Sequence, residues 1–167
     1  AGWQAYRAGR VHFLRGQASD MLACACRVER HWTNDGTREK AYAIRLRGQG
    51  YRLEKDYPAA IVAFQEAISL WRTLAVESED VAIGLNSLAR VEQSLGDYDA
   101  AERHYLEGLR IFRKMTNRDN DASITGDLAE LALDRGDWLA AEALARDALT
   151  LAEALGRQEL IARQWWR

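Results

Sequence analysis

The sequence predicts an all-α fold, built as an array of stacked antiparallel helix pairs. The first observation is a phrase that occurs three times: an acid, an aromatic residue, any residue and two alanines. It begins at Asp56, Asp97 and Asp137, which lie 41 and then 40 residues apart. Such self-similarity at a fixed period is typical of repeat arrays. The second observation is composition, because one proline in 167 residues and few β-branched residues favour helices over a sandwich or barrel.

Each copy of the phrase lies between two apolar patterns of helical spacing. Around Asp97, apolar residues recur every three or four positions from Val81 to Leu95, and again from Asp99 to Met115. Gly96 suits the left-handed end of the first helix, and Asp97 suits the N-cap of the second. The phrase is therefore predicted to be a tight turn between two antiparallel helices.

Extending this register predicts a single domain over residues 1–167 with four helix pairs. The expected helices are 2–15 with 18–32, 38–54 with 58–74, 79–95 with 98–115, and 120–135 with 138–155. The repeats are thus 2–32, 38–74, 79–115 and 120–155, followed by a terminal or truncated helix at 157–167. Because the chain opens without Met, we expect it to be a segment of a longer polypeptide.

The pairs resemble the tetratricopeptide repeat family, whose pattern is W-x2-L-G-x2-Y followed by A-x3-F. The second pair matches with Ile44-x2-Arg47-Gly48-x2-Tyr51 and Ala60-x3-Phe64. The third pair matches with Leu85-x2-Leu88-Ala89-x2-Glu92 and Ala101-x3-Tyr105. The fourth pair matches with Thr125-x2-Leu128-Ala129-x2-Ala132 and Ala141-x3-Ala145. The first pair is degraded, since Met21 takes a small residue's place.

The resemblance implies a right-handed superhelical α-solenoid that serves as a protein–protein interaction scaffold. The period of about 40 residues, rather than 34, is similar to the kind found in kinesin light chains and bacterial NB-ARC/STAND signalling proteins. It implies the sensor or partner-binding arm of a larger bacterial signalling protein. The partner would be a protein or peptide.

The sequence contains no pattern that predicts catalysis, a cofactor or a metal site. The three histidines, His12, His31 and His104, lie in different predicted helices, and no phosphate-binding glycine loop occurs. Cys24 and Cys26 point to different helix faces and cannot pair comfortably. No apolar run reaches the roughly 18 residues of a membrane span. We expect a cytoplasmic binding protein that acts neither as an enzyme nor at a membrane.

Charge is distributed unevenly along the chain. Residues 1–57 contain 11 Lys/Arg against 6 Asp/Glu, a net charge of +5, whereas residues 58–167 have a net charge of −7. The family's first helices line a concave groove, and by register this chain places there Arg10, Arg45, Gln49, Arg52, Asn86, Arg90 and Gln93. Guanidinium and amide groups suit carboxylates and an extended peptide. An acidic peptide is therefore the expected ligand, although these arginines could instead only solvate an exposed face.

Two further surfaces and two alternative functions follow from the same residues. Trp3, Tyr6 and Phe13 offer stacking surface at one end of the groove, although core packing is their commoner role. Leu160, Ile161, Trp165 and Trp166 would form an apolar edge suited to self-association. The alternatives to a scaffold are a self-associating module and a binder of a small anionic effector or RNA. A net charge of −2 argues against general nucleic-acid binding.

Overall fold

The computed structural model describes residues 2–32 and 36–156, and these ranges are almost entirely helical. In chain order the helices are α1 (Gly2–Leu14), α2 (Ala18–His31), α3 (Thr37–Glu54), α4 (Tyr57–Leu74), α5 (Glu79–Leu95), α6 (Tyr98–Lys114), α7 (Arg118–Asp134) and α8 (Trp138–Ala154). Their ends differ from the predicted ends by at most two residues. The described ranges contain no β-strand. The predicted all-α repeat fold is confirmed.

The repeated phrase forms the turn within each of the last three pairs. The aspartate side chains of the three turns accept hydrogen bonds from the backbone N–H groups of Ala59, Ala100 and Ala140, at 3.1, 3.2 and 3.0 Å. The residue before each aspartate is left-handed, with φ of 62° at Lys55, 84° at Gly96 and 78° at Gly136. The acid thus caps the second helix while the left-handed residue ends the first.

Small residues let the two helices of each pair approach closely. Ala60 and Ala101 are fully buried, and the rings of Phe64 and Tyr105, one turn further on, fill the space beside them. At Gly48 the approach leaves no room for a side chain, because an added Cβ would lie 2.9 Å from Cε1 of Phe64. These positions carry the family's pattern of small and aromatic residues, and the packing explains why the chain needs them.

The interior is a continuous core with a smaller aromatic cluster at its N-terminal end. The main core runs from α3 to α7 and includes the fully buried side chains of Trp71 and Phe112. The N-terminal cluster contains Tyr6 and Trp32, and Tyr42 packs against both groups. Each pair is therefore stabilised by its neighbours rather than on its own.

The helices form two layers. Every helix packs against the next one in the chain, and the odd-numbered helices also contact one another, α1 with α3, α3 with α5, and α5 with α7. Odd-numbered helices therefore form the inner, more closely spaced layer, and even-numbered helices form the outer layer. None of the helices in the described ranges combines the length and hydropathy needed to cross a membrane.

The C-terminal predictions lie outside the described residues. These are the terminal helix at 157–167 and the self-association residues Leu160, Ile161, Trp165 and Trp166. Within the described part, the last repeated phrase differs from its sisters in exposure. Trp138 is 70% exposed, whereas Tyr57 and Tyr98 pack against the main core.

Candidate functional site

A cavity of about 320 Å³ opens on the inner layer and is lined by residues from α1, α3 and α5, with single contributions from α6 and α7. We call it the basic cavity. Its lining consists of Arg10, Phe13, Arg45, Gln49, Arg52, Ile83, Asn86, Ser87, Arg90, Phe112 and Asn120. Six of the seven polar residues predicted to face the groove are thus brought together, and Gln93 lies elsewhere.

The basic cavity has a strongly one-sided charge. Four arginines line it, and the described part of its lining includes no aspartate or glutamate. Three of these arginines, Arg10, Arg45 and Arg52, form no ion pair with any acid in the described ranges. Like charges held together without a counter-ion favour an anionic ligand.

Arg45 and Asn86 line this cavity, and each has a buried hydrogen-bonding atom without a partner among the described residues. Arg45 donates from Nη2 to the Tyr6 hydroxyl at 2.7 Å, which fixes the guanidinium. Its Nε is buried and has no partner among the described residues, and the same holds for Oδ1 of Asn86. A buried donor or acceptor without a partner carries a desolvation cost of about 1–3 kcal/mol.

Arg52, on α3, lines the basic cavity and lies beside Phe13. Its guanidinium carbon lies 5.2 Å from the centre of the Phe13 ring, a distance at which a cation is attracted to the ring face. Burial lowers the pKa of Arg52, and the neighbouring positive charge of Arg90 lowers it further. A desolvated guanidinium without a carboxylate partner gains more from an incoming anion than an exposed one does.

Arg90 differs from Arg52 because it already has a counter-ion. It donates to both carboxylate oxygens of Asp127 across the gap between α5 and α7, at 2.8 Å from Nη2 and 3.2 Å from Nε. The Asp127 side chain is only 9% exposed. Burial alone would lower the pKa of Arg90, but the charge of Asp127 and its hydrogen bonds outweigh it, and the pKa rises. Arg90 therefore joins two repeats.

A second cavity of about 240 Å³ continues the groove toward α7, and we call it the acidic cavity. It is lined by Arg52, Arg90, Gln93, Ser94, Tyr105, Asp127, Glu130 and Asp134. The two cavities share Arg52 and Arg90, so they are parts of one groove. The acids of this end are not among the residues predicted for the site. The sequence feature that indicated an acidic end was the net charge of −7 after residue 57.

Gln93 lines the acidic cavity and is engaged within the protein. Its Nε2 donates to Oδ2 of Asp134 at 2.6 Å, and its Oε1 accepts a hydrogen bond from the Tyr105 hydroxyl at 2.9 Å. Burial raises the pKa of Tyr105, so this hydroxyl stays protonated and remains a donor. The side-chain amide of Gln93 therefore fixes the position of the Asp134 carboxylate.

The three aromatic residues predicted to offer stacking surface lie in different environments. Phe13 lines the basic cavity. Tyr6 is buried and is not part of the cavity lining; its hydroxyl accepts the hydrogen bond from Arg45. Trp3 is half exposed and makes an edge contact with Trp32 at a centroid distance of 5.0 Å. Only Phe13 is placed to contact a ligand in the groove.

A third cavity, of about 270 Å³, lies among α2, α3 and α4. Three of its four charged residues are already paired, because Arg47 bridges Glu29 at 2.8 Å and Glu66 at 3.2 Å, and the fourth, Lys40, is exposed. No group of three or more potential metal ligands occurs among the described residues. The inner groove is therefore the best candidate site that the described ranges contain.

Solved structures with the same architecture share little sequence with this chain. Aspartyl phosphate phosphatase F from Bacillus subtilis superposes with a TM-score of 0.87 at 12% identity, over 98% of this chain and 43% of that one. A Rap protein complexed with competence and sporulation factor gives 0.88 at 15% identity, over 96% and 45%. This chain spans less than half of either protein.

A Podosopora anserina protein with nearly identical TPR-like repeats of the kinesin light chain kind gives a TM-score of 0.74 at 15% identity, over 97% of this chain and 84% of that one. A comparison with curated protein sequences gives no match. The family model described as tetratricopeptide repeat matches residues 39–114 and 80–154, which together cover well over half of the chain. The chain belongs to the tetratricopeptide repeat family.

Proposed function

We propose that this chain is a protein–protein interaction scaffold whose inner groove binds an acidic peptide segment of its partner. The observation that carries the proposal is the basic cavity, which Arg10, Arg45 and Arg52 line and whose described lining includes no aspartate or glutamate. A solenoid of helix pairs offers an extended concave surface suited to such a segment. One structural neighbour was solved in complex with competence and sporulation factor.

The expected contacts follow from the chemistry of the cavity. A carboxylate of the ligand accepts hydrogen bonds from the guanidinium groups of Arg45 and Arg52. Charge-assisted hydrogen bonds of this kind contribute about 1.5–3 kcal/mol each where water is excluded. Exposed ion pairs would contribute less than about 1 kcal/mol and would weaken in salt.

The test uses a defined probe. A fluorescein-labelled hexapeptide whose three C-terminal residues are glutamate, with a free C-terminal carboxylate, is titrated with wild type, Arg45→Gln and Arg52→Gln, and anisotropy is measured. Each variant should bind about tenfold more weakly or worse, which corresponds to the loss of one such bond. Arg103→Gln, on the exposed face of α6, is the matched control because it removes one positive charge outside the groove.

Arg90 is left unchanged in this test. The substitution Arg90→Glu would place a second carboxylate next to that of Asp127. Circular dichroism checks that each variant is folded. Equal affinity in wild type and both groove variants would refute the proposal. Tighter binding of a single-stranded RNA, with a steep salt dependence, would instead assign the arginines to nucleic acid.

We further propose that the chain forms a single domain, the sensor arm of a larger, cytoplasmic bacterial signalling protein of the NB-ARC/STAND kind. The support is the long repeat period of the sequence and its likeness to the bacterial neighbours, which share the fold. The deciding observation is the gene sequence that encodes the residues before Ala1. A phosphate-binding loop there would support the assignment, and an unrelated domain would contradict it.

A further inference from the structure

The groove reverses the sign of its charge along its length. Its basic cavity has four arginines and, in the described lining, no acid, while its acidic cavity adds Asp127, Glu130 and Asp134 of α7. The two cavities meet at Arg52 and Arg90. A single extended ligand that fills both therefore passes from a cationic to an anionic environment.

The negative charge at the α7 end has a fixed position. The carboxylate of Asp134 is held at 2.6 Å by the neutral amide of Gln93, so its charge is placed without being cancelled. The charge of Asp127 is different, because it is offset by Arg90. Asp134 is exposed and Glu130 is half-buried. Asp134 is therefore the carboxylate that a ligand over α7 would meet first, and Glu130 lines the same cavity.

From this arrangement we infer that the groove is selective for charge order, an inference that rests on the proposed function. The acidic group of the ligand occupies the basic cavity, and the residue that continues over α7 is neutral or basic. Glu130 and Asp134 are the specificity-determining residues, because they repel a second acidic group. At physiological salt, such repulsion acts over a Debye length of about 8 Å, which spans the acidic cavity but not the whole groove.

The length of a matching ligand follows from helix spacing. Neighbouring packed helices lie about 8–10 Å apart, so two intervals of the inner layer, from α3 to α7, span about 20 Å. Six extended residues also span about 20 Å. A hexapeptide with one charge at each end therefore reaches both cavities.

The test compares three capped alanine-based hexapeptides. All have a glutamate at one end, and the other end is lysine, alanine or a second glutamate. Against wild type, the peptide with two glutamates should bind about three- to tenfold more weakly than the one with glutamate and lysine, and the alanine peptide should lie between them. The charge-removing double variant Glu130→Gln/Asp134→Asn should bind all three with nearly equal affinity.

The matched control is Glu142→Gln/Glu153→Gln, which removes two exposed carboxylates from α8 in the outer layer and should preserve the wild-type ranking. Equal or tighter wild-type binding of the peptide with two glutamates would overturn the inference while leaving acid recognition intact. The inference is also overturned, with acid recognition intact, if the Glu130→Gln/Asp134→Asn variant keeps the wild-type order of affinities for the three peptides. If Arg52→Gln changes the binding of none of the three peptides, the proposed function itself fails.

Discussion

The middle of the groove contains two arginines, on successive inner helices, that are paired differently. Arg52, on α3, stacks over Phe13 and has no described carboxylate partner, whereas Arg90, on α5, is bound through two nitrogens to Asp127. The same residue type thus has two roles. Arg90 stabilises the stack of repeats, and Arg52 is available to a ligand. The difference shows that identical register positions do not imply identical function.

The largest expected effect comes from removing the counter-ion of Arg90. Asp127→Asn leaves a mostly buried guanidinium without its carboxylate, and breaking such a pair costs about 3 kcal/mol, at the low end of the usual range because Arg90 remains one-third exposed. Arg52→Met should change the free energy of unfolding by less than about 1 kcal/mol, since it removes only a ring contact. Urea unfolding measures both. If Asp127→Asn and Arg52→Met lower the free energy of unfolding equally, Arg90 and Arg52 do not differ in their contribution to stability.

The next effect concerns how α8 supports the acidic end. Ala141, which is 3% exposed, lies where α8 packs on α7, and a leucine there should lower the free energy of unfolding by roughly 1–3 kcal/mol through overpacking. Ala143 is exposed on the same helix, so Ala143→Leu should cost less than about 0.5 kcal/mol. If Ala141→Leu and Ala143→Leu unfold at similar temperatures, the assignment of Ala141 to the face of α8 that packs on α7 is wrong.

A smaller effect distinguishes the two tyrosine hydroxyls. Tyr6 accepts a hydrogen bond from Arg45 and Tyr105 donates one to Gln93, so Tyr6→Phe and Tyr105→Phe should each cost about 1 kcal/mol of stability. Only Tyr6→Phe should also weaken binding of the acidic hexapeptide, because Arg45 loses its orientation. Titration of both variants checks this. Equal weakening by Tyr105→Phe would mean that the two ends are not independent.

The smallest effect is electrostatic and lies outside the groove. Hydrogen bonds from Lys114 and Arg110 lower the pKa of Glu77 to about 2. Because the folded-state pKa lies below the unfolded value of 4.5, the stabilisation is complete above that pH and is lost as the pH falls toward 2. Glu77→Gln should therefore lower the melting temperature at pH 7 but not near pH 2. A pH-independent difference would exclude these ion pairs as its cause.

The fold could be predicted from the sequence because its determinants are local. The turn needs an acid at the cap and a left-handed residue before it, and both appear in the phrase at Gly96 and Asp97. The inward positions followed from helical register, which placed Arg45, Arg52 and Asn86 in one cavity.

The pairing within the groove could not be predicted in the same way. Arg90 and Asp127 lie 37 residues apart on different helices, so their contact depends on how closely the pairs stack. The bond between Gln93 and Asp134 depends on the same stacking, whereas the bond between Gln93 and Tyr105 lies within the third pair. Register predicts which face a side chain occupies, but its partners across repeats are set by the relative placement of the helices.

The central claim is that the unpaired arginines of the basic cavity bind the acidic group. The most direct measurement is a titration of the ¹⁵Nε signals of the arginine side chains with the acidic hexapeptide, assigned through the variants Arg45→Gln, Arg52→Gln and Arg90→Lys. The account predicts saturable shifts of the Arg45 and Arg52 signals, with a smaller change at Arg90, which is already bonded to Asp127. Unchanged Arg45 and Arg52 signals at saturating peptide would contradict it.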